Sequence, residues 1–230
     1  LTESLTRTKQ FRGLVETSLA NGCAAYVNDP TTLYLEFIRG PHTGETKQIG
    51  STNAELFDIA LSSTGVLYGV DSSGVFYTVN RETGAATVRG SGVGYFTNGL
   101  VLSSTGAIYG SGYERLLTID PTTGAGSLLG QDTGFDSSGD LAYTPSGRLY
   151  MTGSGDDLVS LNPKTGAGKL VGPIGRRDVY GLCDSFGTLY GVNLGGELLT
   201  ISASTGAATT IAKGGPEALG MTIAPEPQTE

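Results

Sequence analysis

Asp58 and Asp140 occupy the same place in a text that recurs along the chain. Each stands directly ahead of a short apolar run, Ile59-Ala60-Leu61 after the first and Leu141-Ala142-Tyr143 after the second. The corresponding places in other copies are read as Gly99, Tyr180 and Gly220. Two carboxyl groups around one opening could serve glycoside cleavage, one as general acid and the other as base or nucleophile. If the chain is an enzyme, Asp58 and Asp140 are its catalytic residues. Against that use, each copy is short, and no long loop is available to wall off a deep, dry site.

A second set of residues suits recognition. The segments leading into the apolar runs bring Phe57, Tyr95, Phe96, Phe135 and Tyr180 close to Asp58, Asn98, Asp136, Asp140, Arg177, Asp178 and Glu217. Further loops add Asn28-Asp29, Asp71, Tyr113-Glu114-Arg115, Asp156-Asp157 and Asn193. Aromatic rings stack on the C–H faces of a sugar or another small polar ligand, while carboxylates and amides take its hydroxyls. The same residues have a plain structural use, the rings as packing and the acids as turn caps. The residue types leave both uses open.

Other chemistries fail on inventory. His42 is the single histidine, so a Ser-His-Asp or Cys-His nucleophile lacks its base near these loops. One histidine and two separated cysteines, Cys23 and Cys183, make no transition-metal set. No Gly-x-Ser-x-Gly elbow and no phosphate loop occur. No cofactor is expected. Calcium could find oxygens at Asp136, Asp140, Asp156 and Asp157, but the Asp-x-Asp-x-Asp spacing of a calcium loop is absent. The net charge is −8, with no basic run beyond Arg176-Arg177. That excludes a surface that condenses onto nucleic acid or anionic membrane. No stretch is long and apolar enough for membrane insertion as a helix.

The elements that position these residues come from repetition. A tyrosine recurs late in a short apolar run at Tyr26, Tyr68, Tyr109, Tyr150 and Tyr190, with spacings of 42, 41, 41 and 40. Some fifteen residues later comes Thr-Gly, at Thr43-Gly44, Thr83-Gly84, Thr123-Gly124, Thr165-Gly166 and Thr205-Gly206. Two independent landmarks keep one period. In the third copy, Leu100 to Leu102, Ala107 to Tyr109, Leu116 to Ile119 and Ala125 to Leu129 are four short apolar runs. They are separated by Gly-bearing and Pro-bearing turns. Four short strands per ~41 residues make a propeller blade. Glycine at 37 of 230 residues fits many tight turns and no long helices.

The expected fold is an all-β, five-bladed β-propeller. Its copies run over about 22–52, 53–93, 94–134, 135–175 and 176–216, between an N-terminal arm (1–21) and a C-terminal tail (225–230). Met221-Thr222-Ile223 matches the first strand of a copy, and no second strand follows it. This closing strand, 220–224, is expected to complete the first blade from the inside and hide both edges. The rival alignment uses Gly13-Leu14-Val15 for that purpose. Cys23 and Cys183 fall in the first and last copies, which a ring makes neighbours. They could pair as a disulfide or pack as small hydrophobes.

The Leu-Tyr-Gly unit and the turn units Ile119-Asp-Pro-Thr-Thr-Gly-Ala125 and Leu161-Asn-Pro-Lys-Thr-Gly-Ala167 resemble repeats of exported bacterial propeller proteins, over about residues 22–224. Ala224-Pro225-Glu226-Pro227 resembles the start of a PEP-CTERM sorting tail, without the hydrophobic and basic parts. The resemblance implies export to the cell surface and says nothing about activity. The expectation is a non-catalytic, exported binding protein that recognises a glycan or a surface protein through its variable loops. Two alternatives stay open, a glycosidase or lyase and a scaffold without a small ligand.

Overall fold

A computed structural model describes residues 23–90, 92–130 and 132–224. These residues form twenty strands and, among them, no helix. In chain order they begin with β1 (Cys23–Asn28), β2 (Thr32–Arg39) and β3 (Thr46–Ser51). The second group is β4 (Leu56–Leu61), β5 (Leu67–Asp71), β6 (Phe76–Val79) and β7 (Ala86–Val88). The third is β8 (Gly99–Leu102), β9 (Ile108–Gly112), β10 (Arg115–Ile119) and β11 (Gly126–Leu128). The fourth is β12 (Ser137–Tyr143), β13 (Leu149–Gly153), β14 (Asp157–Leu161) and β15 (Gly168–Pro173). The fifth is β16 (Val179–Ser185), β17 (Thr188–Asn193), β18 (Glu197–Ile201) and β19 (Ala208–Lys213), and β20 (Gly220–Ile223) ends the series.

Each group is one antiparallel sheet, and β20 joins the first as order β20-β1-β2-β3. The protein is a five-bladed β-propeller. Closure is the one expected from the C-terminal strand text: Ala25 pairs with Ile223, Tyr26 with Thr222, Val27 with Met221 and Asn28 with Gly220. The ring is thereby fastened by backbone hydrogen bonds between the two ends of the chain, and neither inner edge is left open. The rival strand, Gly13 to Val15, lies outside the described residues.

The Leu-Tyr-Gly unit explains how the blades pack. Side chains alternate across a strand, so Leu and Tyr of one unit point to opposite neighbours. Leu67 joins the cluster shared with the first blade, and Tyr68 joins the cluster shared with the third. Leu189 and Tyr190 divide in the same way between the fourth and first blades. Five buried clusters result, one per interface, in place of a single central core. Burying one such side chain stabilises by about 1.5–3 kcal/mol, so the interfaces together dominate the stability of the ring. The glycine after the tyrosine leaves room on the leucine side. A Cβ on Gly69 would lie 3.0 Å from Leu56 Cδ1.

The Thr-Gly landmark is the other half of the joint. The carbonyls of Thr83, Thr123, Thr165 and Thr205 each rest on a glycine of the preceding blade's outer-strand region: Gly50, Gly90, Gly130 and Gly172. Any Cβ there would collide with the carbonyl. At the seam between last and first blades the pairing is Ala212 against Gly44. Cys23 and Cys183 lie buried in the same seam, and no disulfide joins them to one another. Cys23 Sγ is 3.4 Å from Ser185 Oγ, and burial pushes the Cys183 thiol well up.

Candidate functional site

Bulges decide what reaches the centre of the ring. The register shifts between Leu56 and Asp58, between Ser137 and Leu141, and between Val179 and Gly181. The third bulge takes up Tyr180, so Gly181, not Tyr180, is the fifth blade's counterpart of Asp58. The innermost positions in order round the ring are therefore Asp58, Gly99, Asp140, Gly181 and Gly220. Three glycines let the inner strands close up, and two carboxyl side chains fill what remains. A Cβ on Gly220 would lie only 2.8 Å from Asp58 Cα.

Both aspartates are fully buried. Asp58 Oδ1 accepts the amide of Ile59 at 2.7 Å, and its Oδ2 accepts the amide of Leu100 in the next blade. Asp140 Oδ1 accepts Leu141 N at 2.6 Å. Its Oδ2 accepts Leu182 N at 2.8 Å and Met221 N at 3.0 Å. The pair thus gathers one inner-strand amide from every blade. Burial pushes both carboxyls well above the usual carboxylate range. The two side chains are also hydrogen-bonded to one another, which raises Asp58 and lowers Asp140. The two titrate as one coupled pair that retains a proton above the ordinary carboxylate range. The sequence placed these acids at a channel mouth, whereas the structure places them beneath the surface with every oxygen engaged. They hold the ring together and have no face to offer a substrate.

The remaining sequence candidates separate into two groups on the loop face. One spans the second and third blades. Phe57 and Phe96 meet edge to face, centroids 6.1 Å apart, and Phe96 lies 4.7 Å from Tyr113. Tyr113 is 56% exposed and holds a left-handed backbone, φ 51°, a conformation that is rare for a bulky residue. The fourth blade keeps it there, because Ser137 N donates to Tyr113 O at 2.9 Å. Tyr95 stands beside this run with the Arg115 guanidinium 5.9 Å from its ring centroid. Asn98 Nδ2 donates to Ser137 O at 3.0 Å, while its Oδ1 is buried without a partner.

The other group spans the fourth and fifth blades. Asp156 Oδ1 accepts the amide of Asp178 at 3.0 Å, and Asp178 Oδ1 accepts the Tyr180 hydroxyl at 3.4 Å. Asp156 and Asp178 are both left-handed, φ 58° and 55°. Burial raises the Tyr180 hydroxyl, and the neighbouring Asp178 adds to it. Asp136, Arg177 and Glu217 are exposed. Phe135 departs from the set, for it turns inward and packs on the third-to-fourth blade cluster. Asp29 and Asp71 cap turns and accept the hydroxyls of Tyr34 and Tyr77 at 2.7 and 2.8 Å.

Among the described residues no group of three or more His, Cys, Asp or Glu side chains converges on a metal position. The four acids considered for calcium are spread out, since Asp140 is enclosed at the centre while Asp136 is exposed on a loop. Tyr113, which the sequence offers only as part of a further loop, proves to be the most exposed ring of the set. Its signal was an aromatic side chain inside an otherwise polar hairpin loop, and its left-handed backbone has no sequence signature.

No family model matches the chain, and no curated protein matches it. Solved structures do. One described as a nidogen/laminin complex aligns with TM-score 0.59 and 17% identity, over 90% of this chain and 85% of that one. A structure from work on the de novo evolutionary emergence of a symmetrical protein aligns with TM-score 0.59 and 20% identity, over 90% and 100%. Virginiamycin B lyase from Staphylococcus aureus aligns with TM-score 0.51 and 13% identity, over 84% and 70%. These neighbours are β-propellers. At such identities the likeness is one of fold.

Proposed function

We propose that the protein is a non-catalytic binding module, exported to the cell surface, which recognises a glycan or a surface protein through the loop face of its second and third blades. The observation that carries this reading is the aromatic run Phe57, Phe96 and Tyr113, ending in an exposed ring held in a strained backbone. Strain of ~1–3 kcal/mol persists only where the surroundings enforce it, and such sites cluster at ligand contacts. Arg115 on Tyr95 supplies a polar contact beside the rings. A pyranose stacks on such a run while Arg115 and neighbouring main chain take its hydroxyls.

Burial of Asp58 and Asp140 weighs against the glycosidase or lyase alternative, because a general acid must reach the leaving group. A protein partner fits the same run, since aromatic side chains and Arg dominate binding hot spots. Export rests on the low charge content of 16% and on the repeat and tail resemblance, whose tail residues lie outside the described part. The test is a glycan-array screen and a pull-down from native cell-surface material, with Phe96→Ala and Tyr113→Ala beside the parent.

A further inference from the structure

On the face opposite the variable loops, an open groove of about 880 Å³ runs between the fourth and fifth blades. Its floor comes from Leu149, Leu161 and Val171, and its rim from the turns at Gly147-Arg148, Asn162-Lys164 and Ala203-Ser204. Three cationic side chains border it, Arg148, Lys164 and Lys169, and no acidic residue lines it. In a chain of net charge −8, this lining carries a local balance of +3. Among the described residues none of the three cations pairs with a carboxylate. The ion pairs are at His42, Arg176 and Lys213. All three side chains are exposed and left free to meet a ligand.

The groove is the size of a small-molecule or short-oligomer site, much larger than a single inorganic anion needs. Its other lining groups include the small or hydroxylic Gly147, Ser160, Ala167 and Ser204, with Pro163 and the half-exposed Leu170 beside them. Tyr150 is buried, its hydroxyl directed at Ala203 O, so no aromatic platform is offered. An added peptide strand would need a regular free edge. The adjacent outer strand β15 is bulged opposite Leu158 and Val159, ends in Pro173, and has the Thr205 carbonyl seated on Gly172. These features discourage strand addition. A polyphosphate would need many more cations than three to offset the acidic surface.

We infer that this groove is a second binding site, for an acidic saccharide whose carboxylate or sulfate groups meet Arg148, Lys164 and Lys169. Its hydroxyls are received by Ser160, Asn162 and Ser204. Arg148 offers the two-pronged contact and the lysines act as point charges. The site is independent of the aromatic run on the opposite face.

The test is isothermal titration of the full chain with a short oligogalacturonate, its methyl-esterified neutral form, a sulfated oligosaccharide and poly-glutamate. The parent is compared with the triple variant Arg148→Ser, Lys164→Ser, Lys169→Ser and with Tyr113→Ala. The inference expects at least one acidic saccharide to bind and to weaken on the order of ten-fold in the triple variant. Raising the salt should weaken it too, the neutral ester should not bind, and Tyr113→Ala should leave the affinity unchanged. All three replaced side chains are exposed, so the triple variant should melt like the parent. Absence of binding by both acidic saccharides, equal affinity in the triple variant, or tighter binding of poly-glutamate would each overturn it. Loss of binding in Tyr113→Ala would do so as well, by assigning the ligand to the other face.

Discussion

Replacing Asp140 by alanine removes the acceptor of three buried amides, those of Leu141, Leu182 and Met221. These donors belong to the inner strands of the fourth, fifth and first blades. No solvent reaches them, because Asp140 is fully buried. Leaving a buried donor unsatisfied costs about 1–3 kcal/mol, so three cost at least about 3 kcal/mol. That is a large share of a typical domain stability of about 5–15 kcal/mol. For a domain of this size each kcal/mol moves Tm by roughly 2–4 °C. The expected fall for Asp140→Ala is therefore about 6–12 °C or more, read by differential scanning calorimetry or far-UV circular dichroism. Asp58→Asn should cost less, about 1–3 kcal/mol, because only one of the two amides that Asp58 accepts, Ile59 or Leu100, is left facing an NH2 that cannot accept. The pair also makes stability depend on pH. Its folded-state carboxyls are raised above the ordinary Asp value, so the folded state holds a proton that the unfolded state releases. Stability from this source is complete below the ordinary value and is lost as pH rises through the raised one. Asp58→Asn should flatten that slope. A glycosidase using these residues would show the reverse pattern, abolished turnover with Tm nearly unchanged. An Asp140→Ala protein melting within about 2 °C of the parent would refute the structural role.

Glu36 gives a separate pH signature, for burial alone pushes its carboxyl to about 7. Its proton is held in the folded state across the window from 4.5 to about 7, so stability falls as pH rises through that window, by about 3 kcal/mol at the upper end. Glu36→Gln should remove the fall, as denaturant titrations at pH 4 and pH 8 would report. Phe186 is 69% exposed in a left-handed turn, φ 53°, with Arg39 5.1 Å from its ring centroid. Phe186→Asn, which tolerates that conformation better, should raise stability by about 0.5–1 kcal/mol. An unchanged or lower urea midpoint would mean that the cation–π contact outweighs the strain. In the blade 4–5 groove, the triple cation variant should lose acidic-saccharide binding about ten-fold at unchanged Tm.

How much of this was legible in the sequence depends on whether local text controls the feature. The Tyr and Thr-Gly landmarks are local, and they locate the blades because one residue pair splits between two interfaces and the other seats the joint. The closing strand was legible because Met221-Thr222-Ile223 has first-strand text and no partner. The ring centre was not. Whether an inner carboxyl is exposed depends on how closely five strands approach, which is set by Gly99, Gly181 and Gly220 acting together. The bulge at Tyr180 shifted that position by one residue. The settings of Phe135 and Tyr113 were hidden for the same reason. One turns into a blade interface, and the other is fixed outward by the Ser137 hydrogen bond, a contact to the following blade. The groove cations, Arg148, Lys164 and Lys169, sit at three places in one copy and meet only across folded turns.

The most direct test of the binding role is the response of partner capture to the aromatic run. The parent, Phe96→Ala and Tyr113→Ala should be applied to a glycan array and to native cell-surface extract, with folding checked by melting temperature. The account predicts a defined glycan class or a single surface protein retained by the parent and lost, at least ten-fold, in both variants without a matching loss of stability. Ring truncations that leave every captured partner bound as tightly as before would contradict it.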